Sequence, residues 1–191
     1  MKTKSDIKRV AVFSDTHGNR KEIYKTISHM GHFDLIIHLG DGVADGNNAA
    51  EEIGIQFCGI KGNEDHGMDY PISRVLNINR WVFFILHGNQ TEINPYQMKS
   101  EYDRHIKDMC DMAKRENAGV LLFGHTHKSM LEKRDDTIIC NPGDQYAGSA
   151  SPPTFAVMNI SDRKLEISLM ERTGDEEWNQ LSFFAADHTP D

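Results

Sequence analysis

The amino-acid sequence predicts an α/β fold with two β-sheets, one mostly parallel and one built mostly from hairpins. Over about the first sixty residues, apolar β-branched segments alternate with helix-like segments, which is typical of a parallel sheet covered by helices. In the rest of the chain, apolar segments come in pairs that are separated by two or three turn residues, which indicates hairpins. At 191 residues, the chain has the length of one domain.

The first part of the chain contains three predicted strands and two predicted helices. The strands span residues 9–13, 33–39 and 55–60, and the helices span residues 19–30 and 49–53. Asn19 is the predicted N-cap of the first helix, since asparagine is favoured at that position. Gly31 and Gly54 each follow the last residue of a helix, where glycine is common.

The second part of the chain contains three predicted hairpins, one long helix and one more buried strand. The hairpins pair residues 72–78 with 81–86, 130–134 with 137–140, and 154–160 with 164–170. Pro95 is predicted to open a helix that ends near residue 117, because proline is favoured in a first turn, and a strand follows at 119–123. After residue 172 the composition becomes acidic and polar, so we divide the chain into a main domain, 1–172, and an acidic C-terminal extension, 173–191.

The composition is that of a globular protein and excludes several classes of function. The longest apolar run has six residues, whereas a membrane span needs about 20. The first apolar run, residues 10–13, is shorter than the roughly 7–15 residues of a secretory signal, so we do not expect export. Three widely spaced cysteines indicate neither a disulfide framework nor a zinc ribbon, so we expect reduced thiols in a cytoplasmic protein. The net charge of −8 disfavours stable nucleic-acid binding.

Polar side chains follow five of the predicted strands. In α/β sheets, ligands bind outside the carboxyl ends of the strands, so these side chains are expected to meet at one place although they are far apart in the sequence. The side chains are those of Asp15, His17, Asp41, Asn63, His87, His125 and His127.

The chemistry of this set is that of a divalent-metal site. Carboxylate, amide and neutral imidazole groups together suit first-row divalent ions. Seven such ligands are too many for one ion and suit two ions that share a carboxylate. A pair of ions at about 3.5–4 Å can hold a phosphoryl group and ionise a water molecule between them.

The five motifs, in this order, resemble those of the calcineurin-like metallophosphoesterases. The family pattern is Asp-x-His, Gly-Asp, Gly-Asn-His/Cys-Asp, His-Gly and Gly-His-x-His, and the sequence reads SDTHGN, LGDG, GNED, LHGN and FGHTHK. In its short length and in the motif NPGD at 141–144, the chain resembles the small bacterial and archaeal phosphodiesterases of this family. The resemblance covers residues 9–171 and implies a four-layer α/β/β/α sandwich of two mixed sheets flanked by helices.

The resemblance also implies a ligand set for each ion. The first ion is expected to bind Asp15, His17, Asp41 and His127, and the second is expected to bind Asp41, Asn63, His87 and His125, with Asp41 as the bridge. Manganese is the metal that the family implies most often, with iron, zinc, cobalt, nickel and magnesium as alternatives. Asp45 is expected to cap its loop, and Asn141 and Asp144, near the expected site, are not included among the ligands.

The implied activity is metal-dependent hydrolysis of a phosphodiester by a hydroxide that bridges the two ions. Asn63 and His125 are expected to stabilise charge on the phosphoryl group, and Asp65 is expected to orient its neighbours.

Glu64 departs from the family pattern, since His or Cys is usual at that position. Three interpretations stay open: a general acid with a raised pKa, a carboxylate turned away from a good leaving group, or replacement by His66.

A second hypothesis is a non-catalytic scaffold, because the retromer subunit uses a similar fold to bind proteins. That subunit departs from the family's ligand pattern, whereas this sequence has a ligand residue at every position of the pattern. This difference favours an enzyme that acts on a small phosphodiester or a nucleotide-like substrate. The sequence does not decide between diester and monoester, and it leaves the oligomeric state open. Substrate specificity is expected in the loops at 43–48 and 93–98.

Overall fold

The computed structural model describes residues 7–188, and the ends of the two predicted divisions, residues 1–6 and 189–191, lie outside that range. In chain order the elements are β1 (Lys8–Phe13), α1 (Arg20–Met30), β2 (Leu35–His38), α2 (Val43–Ile53), β3 (Gln56–Gly59), β4 (Ser73–Ile78), β5 (Trp81–Leu86), α3 (Lys99–Arg115), β6 (Val120–Leu122), β7 (Met130–Arg134), β8 (Thr137–Asn141), β9 (Thr154–Ile160), β10 (Lys164–Arg172) and β11 (Trp178–Asp187). A short 3₁₀ turn, Asn89–Thr91, follows β5.

Two mixed sheets contain these strands. Within residues 7–188, the first sheet has six strands in the order β11-β10-β9-β1-β2-β3, and the second has five in the order β4-β5-β6-β8-β7. β1, β2 and β3 are parallel, as are β5, β6 and β8. The division into a mostly parallel and a mostly hairpin-built sheet is therefore wrong, because β9 joins β1 in antiparallel fashion and carries β10 with it.

The sheets and helices form four layers, as the resemblance implies. Alternation along β1 sends Val10 and Val12 into the apolar core between the two sheets. Ala11 and Phe13 point the other way, into the core beneath α1 and α2. On the outer face of the second sheet, α3 packs through residues such as Met109.

Several predicted element boundaries are wrong. The second helix begins at Val43 instead of residue 49, and the third begins at Lys99 instead of Pro95. Asn19 precedes α1, but its side chain makes no capping hydrogen bond, and its Nδ2 donates instead to the carbonyl of Gln145 at 2.7 Å.

The segment after residue 172, which was predicted as an acidic extension, supplies β11. β11 pairs along the whole of β10, and Trp178 stacks edge-on against Phe155 with ring centroids 4.8 Å apart. The division of the chain at residue 172 stays a prediction.

The helices of the described part of the chain are too short or too polar to cross a membrane.

Candidate metal centre

Two separate groups, each of three side chains that could bind a metal ion, lie at the carboxyl edge of the two sheets. Asp15, His17 and His127 form the first group, and their ligand atoms lie within 4.8 Å of one another. Asp41, His87 and His125 form the second group by the same measure. These two groups coincide with residues that the resemblance assigns to the first and the second ion, and we call them the Asp15 group and the Asp41 group. A third group, His17, Asp41 and Glu64, meets the same distance criterion and shares one residue with each of them.

Backbone hydrogen bonds hold these loops together across the two sheets. Asp15 N donates to Gly40 O at 3.0 Å, and His17 N donates to Asp41 O at 3.0 Å, which joins the loops after β1 and β2. His125 N donates to Asp15 Oδ2 at 2.9 Å, which joins the loop after β6 to the first sheet. The side chains are therefore positioned by the main chain as well as by contacts with each other.

Five of the predicted ligands have left-handed backbone conformations. Their φ angles lie between 45° and 67°, a region that non-glycine residues seldom adopt; the residues are Asp15, His17, Asp41, His125 and His127. Such residues cost about 1–3 kcal/mol each and are concentrated at functional sites. The sharp turns explain how ligands can follow a strand directly and still face one another.

Within the described residues, two buried polar atoms of the cluster lack a hydrogen-bond partner: Asp15 Oδ1 and His87 Nε2. His87 Nδ1 lies 2.7 Å from the carbonyl of Leu39, so a neutral ring donates from Nδ1 and directs the Nε2 lone pair into the cluster. That Nε2 lies 3.2 Å from Asp41 Oδ2, so the lone pair of the ring faces a carboxylate oxygen that also carries lone pairs. A cation bound between these two atoms would remove this repulsion, so the residues fit a metal ion.

In the Asp15 group, too, nitrogen and oxygen atoms that carry lone pairs face one another. His127 Nε2 lies 3.3 Å from Asp15 Oδ1 and 3.3 Å from His17 Nε2. The outward nitrogens of both rings meet carboxylates: His127 Nδ1 lies 2.6 Å from Asp144 Oδ2, and His17 Nδ1 lies 3.0 Å from Glu64 Oε2. Two Nε2 atoms and one carboxylate oxygen thus face a common point, as metal ligands do.

The pKa values of the cluster depend on burial and on its opposite charges. Burial raises the pKa of Asp15, although His87 and His127 oppose the shift. Burial also acts to raise the pKa of Asp41, but contact with His87 and the amide of Glu64 outweighs it and lowers that pKa to about 2. Asp41 is therefore ionised at neutral pH, the state in which a carboxylate can bind a cation.

The histidines differ in the direction of their shifts. Burial lowers the pKa of His125 to about 4, so its imidazole is neutral at neutral pH. Burial also opposes the charge on His87, but Asp41 and Asp15 outweigh it and raise the pKa of His87. Contact with Asp144 raises the pKa of His127.

The Gly62–Asp65 loop contacts Asp41 from the side of β3. Glu64 N donates to Asp41 Oδ1 at 2.8 Å. Asp65 is buried and accepts four backbone N–H groups at 2.8–3.1 Å; the donors are Asp41, Gly42, Val43 and Gly62. Through these hydrogen bonds, Asp65 holds the main chain of residues 41–43 against its own loop. Asn63 lies exposed in the same loop.

Three residues outside the predicted ligand set contribute to the site. Asp144 contacts His127, as described, and Tyr146 lies with its ring centroid 5.0 Å from that of His17. Asp45 accepts from Thr16 Oγ1 at 2.7 Å and from Gly18 N at 2.8 Å, so it holds the loop that contains His17. NPGD was the sequence signal for Asp144, and no motif marks Tyr146. Asp45 was predicted to cap its own loop, and its carboxylate instead accepts hydrogen bonds from the loop after β1.

A cavity of about 520 Å³ adjoins both groups of ligands. Residues 94–96 and 149–151 line it together with His125, His127 and Lys128. The loop predicted at 93–98 therefore borders the site. The other predicted specificity segment, 43–48, is not a loop, because it forms the first turns of α2.

Two sheets enclosed by helices, with carboxylate and imidazole groups gathered at the strand ends, define a class of α/β protein that can hold metal ions. The model of a protein family described as the calcineurin-like phosphoesterase superfamily domain matches residues 9–163. The chain belongs to this family.

Relatives of known name cover almost the whole chain. A probable metallophosphoesterase of Methanothermobacter thermautotrophicus is 27% identical over 91% of this chain and 98% of its own length. A phosphodiesterase of Methanocaldococcus jannaschii is 25% identical over 85% of this chain and 99% of its own length.

A solved structure also matches the fold. Vacuolar protein sorting 29 from Cryptosporidium parvum has a TM-score of 0.73 at 17% identity and covers 95% of this chain and 99% of its own.

Proposed function

We propose that the protein is a metal-dependent phosphodiesterase whose two ligand groups each hold one divalent cation, with Asp41 shared between them. The observation that supports this proposal is the pair of three-residue groups, each of which contains one buried polar atom without a hydrogen-bond partner among residues 7–188, Asp15 Oδ1 in the first and His87 Nε2 in the second. Two such ions supply positive charge to a phosphate and a hydroxide as nucleophile. Manganese is the cation that we propose to test first.

The chain's own residues would bind and orient the substrate. The cavity beside the ligands has room for the organic part of a diester, and residues 94–96 at its border are placed to contact that part. His125 faces the cavity with a neutral imidazole, so we propose that it donates a hydrogen bond to a phosphate oxygen. Asn63, exposed in the adjacent loop, is the second proposed phosphate contact. Asp65 keeps the Asp41 loop in place.

For Glu64 we propose a role other than proton donation. Its carboxylate contacts the outward nitrogen of His17, and donation of a proton to a leaving group would require this contact to break. The Glu64 side chain is 63% exposed and points toward His17 at the edge of the cluster. Of the three interpretations, this favours a good leaving group that needs no acid.

A small diester or nucleotide-like compound, not a nucleic acid, is the proposed substrate class, and a cytoplasmic location is part of the proposal. The cysteines of the described chain, Cys58, Cys110 and Cys140, are all free thiols. A net charge of −8 opposes stable binding of a polyanion.

Hydrolysis of bis(p-nitrophenyl) phosphate with added Mn²⁺ tests the proposal, with p-nitrophenyl phosphate as the monoester comparison. Asp41→Asn and His87→Ala are expected to lose turnover at least 100-fold, because each removes a charge or an electron pair from the cluster. Asp69→Asn, an exposed residue that follows the Asp65 loop, and His32→Ala, 83% exposed, are the matched controls.

Full turnover in both Asp41→Asn and His87→Ala would contradict the assignment. Tight metal binding without turnover of any diester would instead favour the scaffold hypothesis, for which the fold shared with vacuolar protein sorting 29 is the motivation.

A further inference from the structure

Two carboxylates outside the ligand set contact the two imidazoles of the Asp15 group. We propose that Asp144 and Glu64 are positioning residues that hold His127 and His17 toward one cation, and that they make the Asp15 group the tighter of the two cation sites. This inference rests on the proposed function, since it concerns how the same centre is loaded.

Asp144 has the geometry of a fixed support for His127. Its Oδ2 lies 2.6 Å from His127 Nδ1, and its side chain is only 2% exposed. The opposite nitrogen, Nε2, lies 3.3 Å from Asp15 Oδ1. A carboxylate on one ring nitrogen fixes the tautomer, turns the other nitrogen toward the metal and increases its basicity. The structure thus holds His127 in the orientation that a cation requires.

Glu64 contacts His17 in the same way, but from the surface. Its Oε2 lies 3.0 Å from His17 Nδ1, while His17 Nε2 lies 3.3 Å from His127 Nε2, inside the cluster. The Glu64 side chain is 63% exposed, so solvent screens its effect. We therefore assign the larger effect to Asp144.

The Asp41 group has a weaker support. His87 Nδ1 faces the carbonyl of Leu39, a neutral acceptor, at 2.7 Å. Hydrogen bonds to a carboxylate are about twice as strong as those between neutral groups. The difference between two carboxylates and one carbonyl predicts that the two sites fill in order, with the Asp15 group first.

Titration with Mn²⁺, with free ion measured by electron paramagnetic resonance, tests the order of filling without any substrate. Asp144→Asn is expected to weaken the tighter site about 10–100-fold and to leave the weaker site unchanged. Glu64→Gln is expected to weaken the tighter site by a smaller factor. The matched control is Glu176→Gln, because Glu176 contacts His29, a histidine outside the cluster, at 3.4 Å and is 77% exposed.

A double-mutant cycle separates positioning from a general loss of charge. Once His127→Ala removes the imidazole, Asp144→Asn is expected to cause no further loss of Mn²⁺ affinity, because it acts through that ring. An equal loss with and without His127 would overturn the proposal. Glu64→Gln with His17→Ala gives the same test at a surface position, so the test remains decisive if Asp144→Asn does not fold.

The failures of the two proposals are distinguishable. A wild-type protein that binds no Mn²⁺ would contradict the proposed function. A wild-type protein that binds two ions, together with Asp144→Asn and Glu64→Gln variants that bind them equally well, would contradict only the positioning role.

Discussion

His38 lies next to the candidate metal centre, and its protonation is expected to destabilise the fold. The side chain is completely buried. Gly40 N donates to His38 Nδ1 at 3.2 Å, so the ring is neutral and carries its proton on Nε2, 3.2 Å from Thr16 Oγ1. Thr16 Oγ1 in turn donates to Asp45 Oδ2 at 2.7 Å. A second proton on His38 would break the contact with Gly40, the residue before Asp41.

The magnitude follows from the pKa of His38, which burial lowers from 6.5 to about 4. Below pH 6.5 the unfolded chain takes up a proton that the folded chain refuses until about pH 4, so stability falls as the pH falls through this window. The loss is about 2 kcal/mol near pH 5 and approaches about 3 kcal/mol at the lower end. Above pH 6.5 the residue has no such effect.

Urea denaturation at a series of pH values, in the presence of a chelator, measures this loss. Because other groups also titrate in the window, the informative quantity is the difference in unfolding free energy between wild type and His38→Gln. This difference is expected to change by about 2 kcal/mol between neutral pH and about pH 5. His32→Gln, at a position 83% exposed, is the control and is expected to follow the wild type. A difference that does not vary with pH would refute the reasoning.

Two further substitutions test the packing around the site and at β11. Gly40→Ala is expected to cost more than about 3 kcal/mol in urea, because φ is +99° and a Cβ would lie 2.5 Å from Gly62 N and 2.8 Å from His87 Nδ1. Gly54→Ala, with φ +80° and open space, is the control at about 1 kcal/mol, and equal losses would contradict the steric argument. Trp178→Ala is expected to cost about 2 kcal/mol, since its half-buried ring packs on Phe155. Leu181→Ala, 46% exposed in the same strand, should cost much less, and a similar loss would show that β11 contributes little packing.

The strands that carry the ligands were predictable because their apolar residues are local signals. β1 and β5 read as buried strands in the sequence and end at the expected motif residues. The association of five separate motifs at one edge follows from the rule for strand ends in α/β sheets. The left-handed backbone of Asp15 and Asp41 could not be read from the sequence, since it is imposed by bonds between loops.

The beginnings of α2 and α3 were mispredicted for physical reasons. The first turns of α2 contain glycine and asparagine, which are weak helix formers, and packing overrides propensity there, since Gly46 lies against His38 and Phe57. Pro95 lies in a turn in which Asn94 Oδ1 accepts from Tyr96 N at 3.0 Å, and the helix starts only afterwards.

The supports of the imidazoles are tertiary contacts, and the motifs that contain them, NPGD and GNED, did not predict which rings they contact. Asp144 reaches His127 across 17 residues, and Glu64 reaches His17 across 47. The resemblance provided the ligand types, but it gave no reason to place either carboxylate on a ring nitrogen. Contacts of this kind become visible only when the loops are in place.

The central claim is that two cations bind at the carboxyl edge of the sheets, and anomalous diffraction from a crystal soaked in Mn²⁺ tests it most directly. We expect two peaks about 3.5–4 Å apart, one among Asp15, His17 and His127 and the other among Asp41, His87 and His125. Full occupancy elsewhere on the molecule, with no peak within about 2.5 Å of these side chains, would contradict the account.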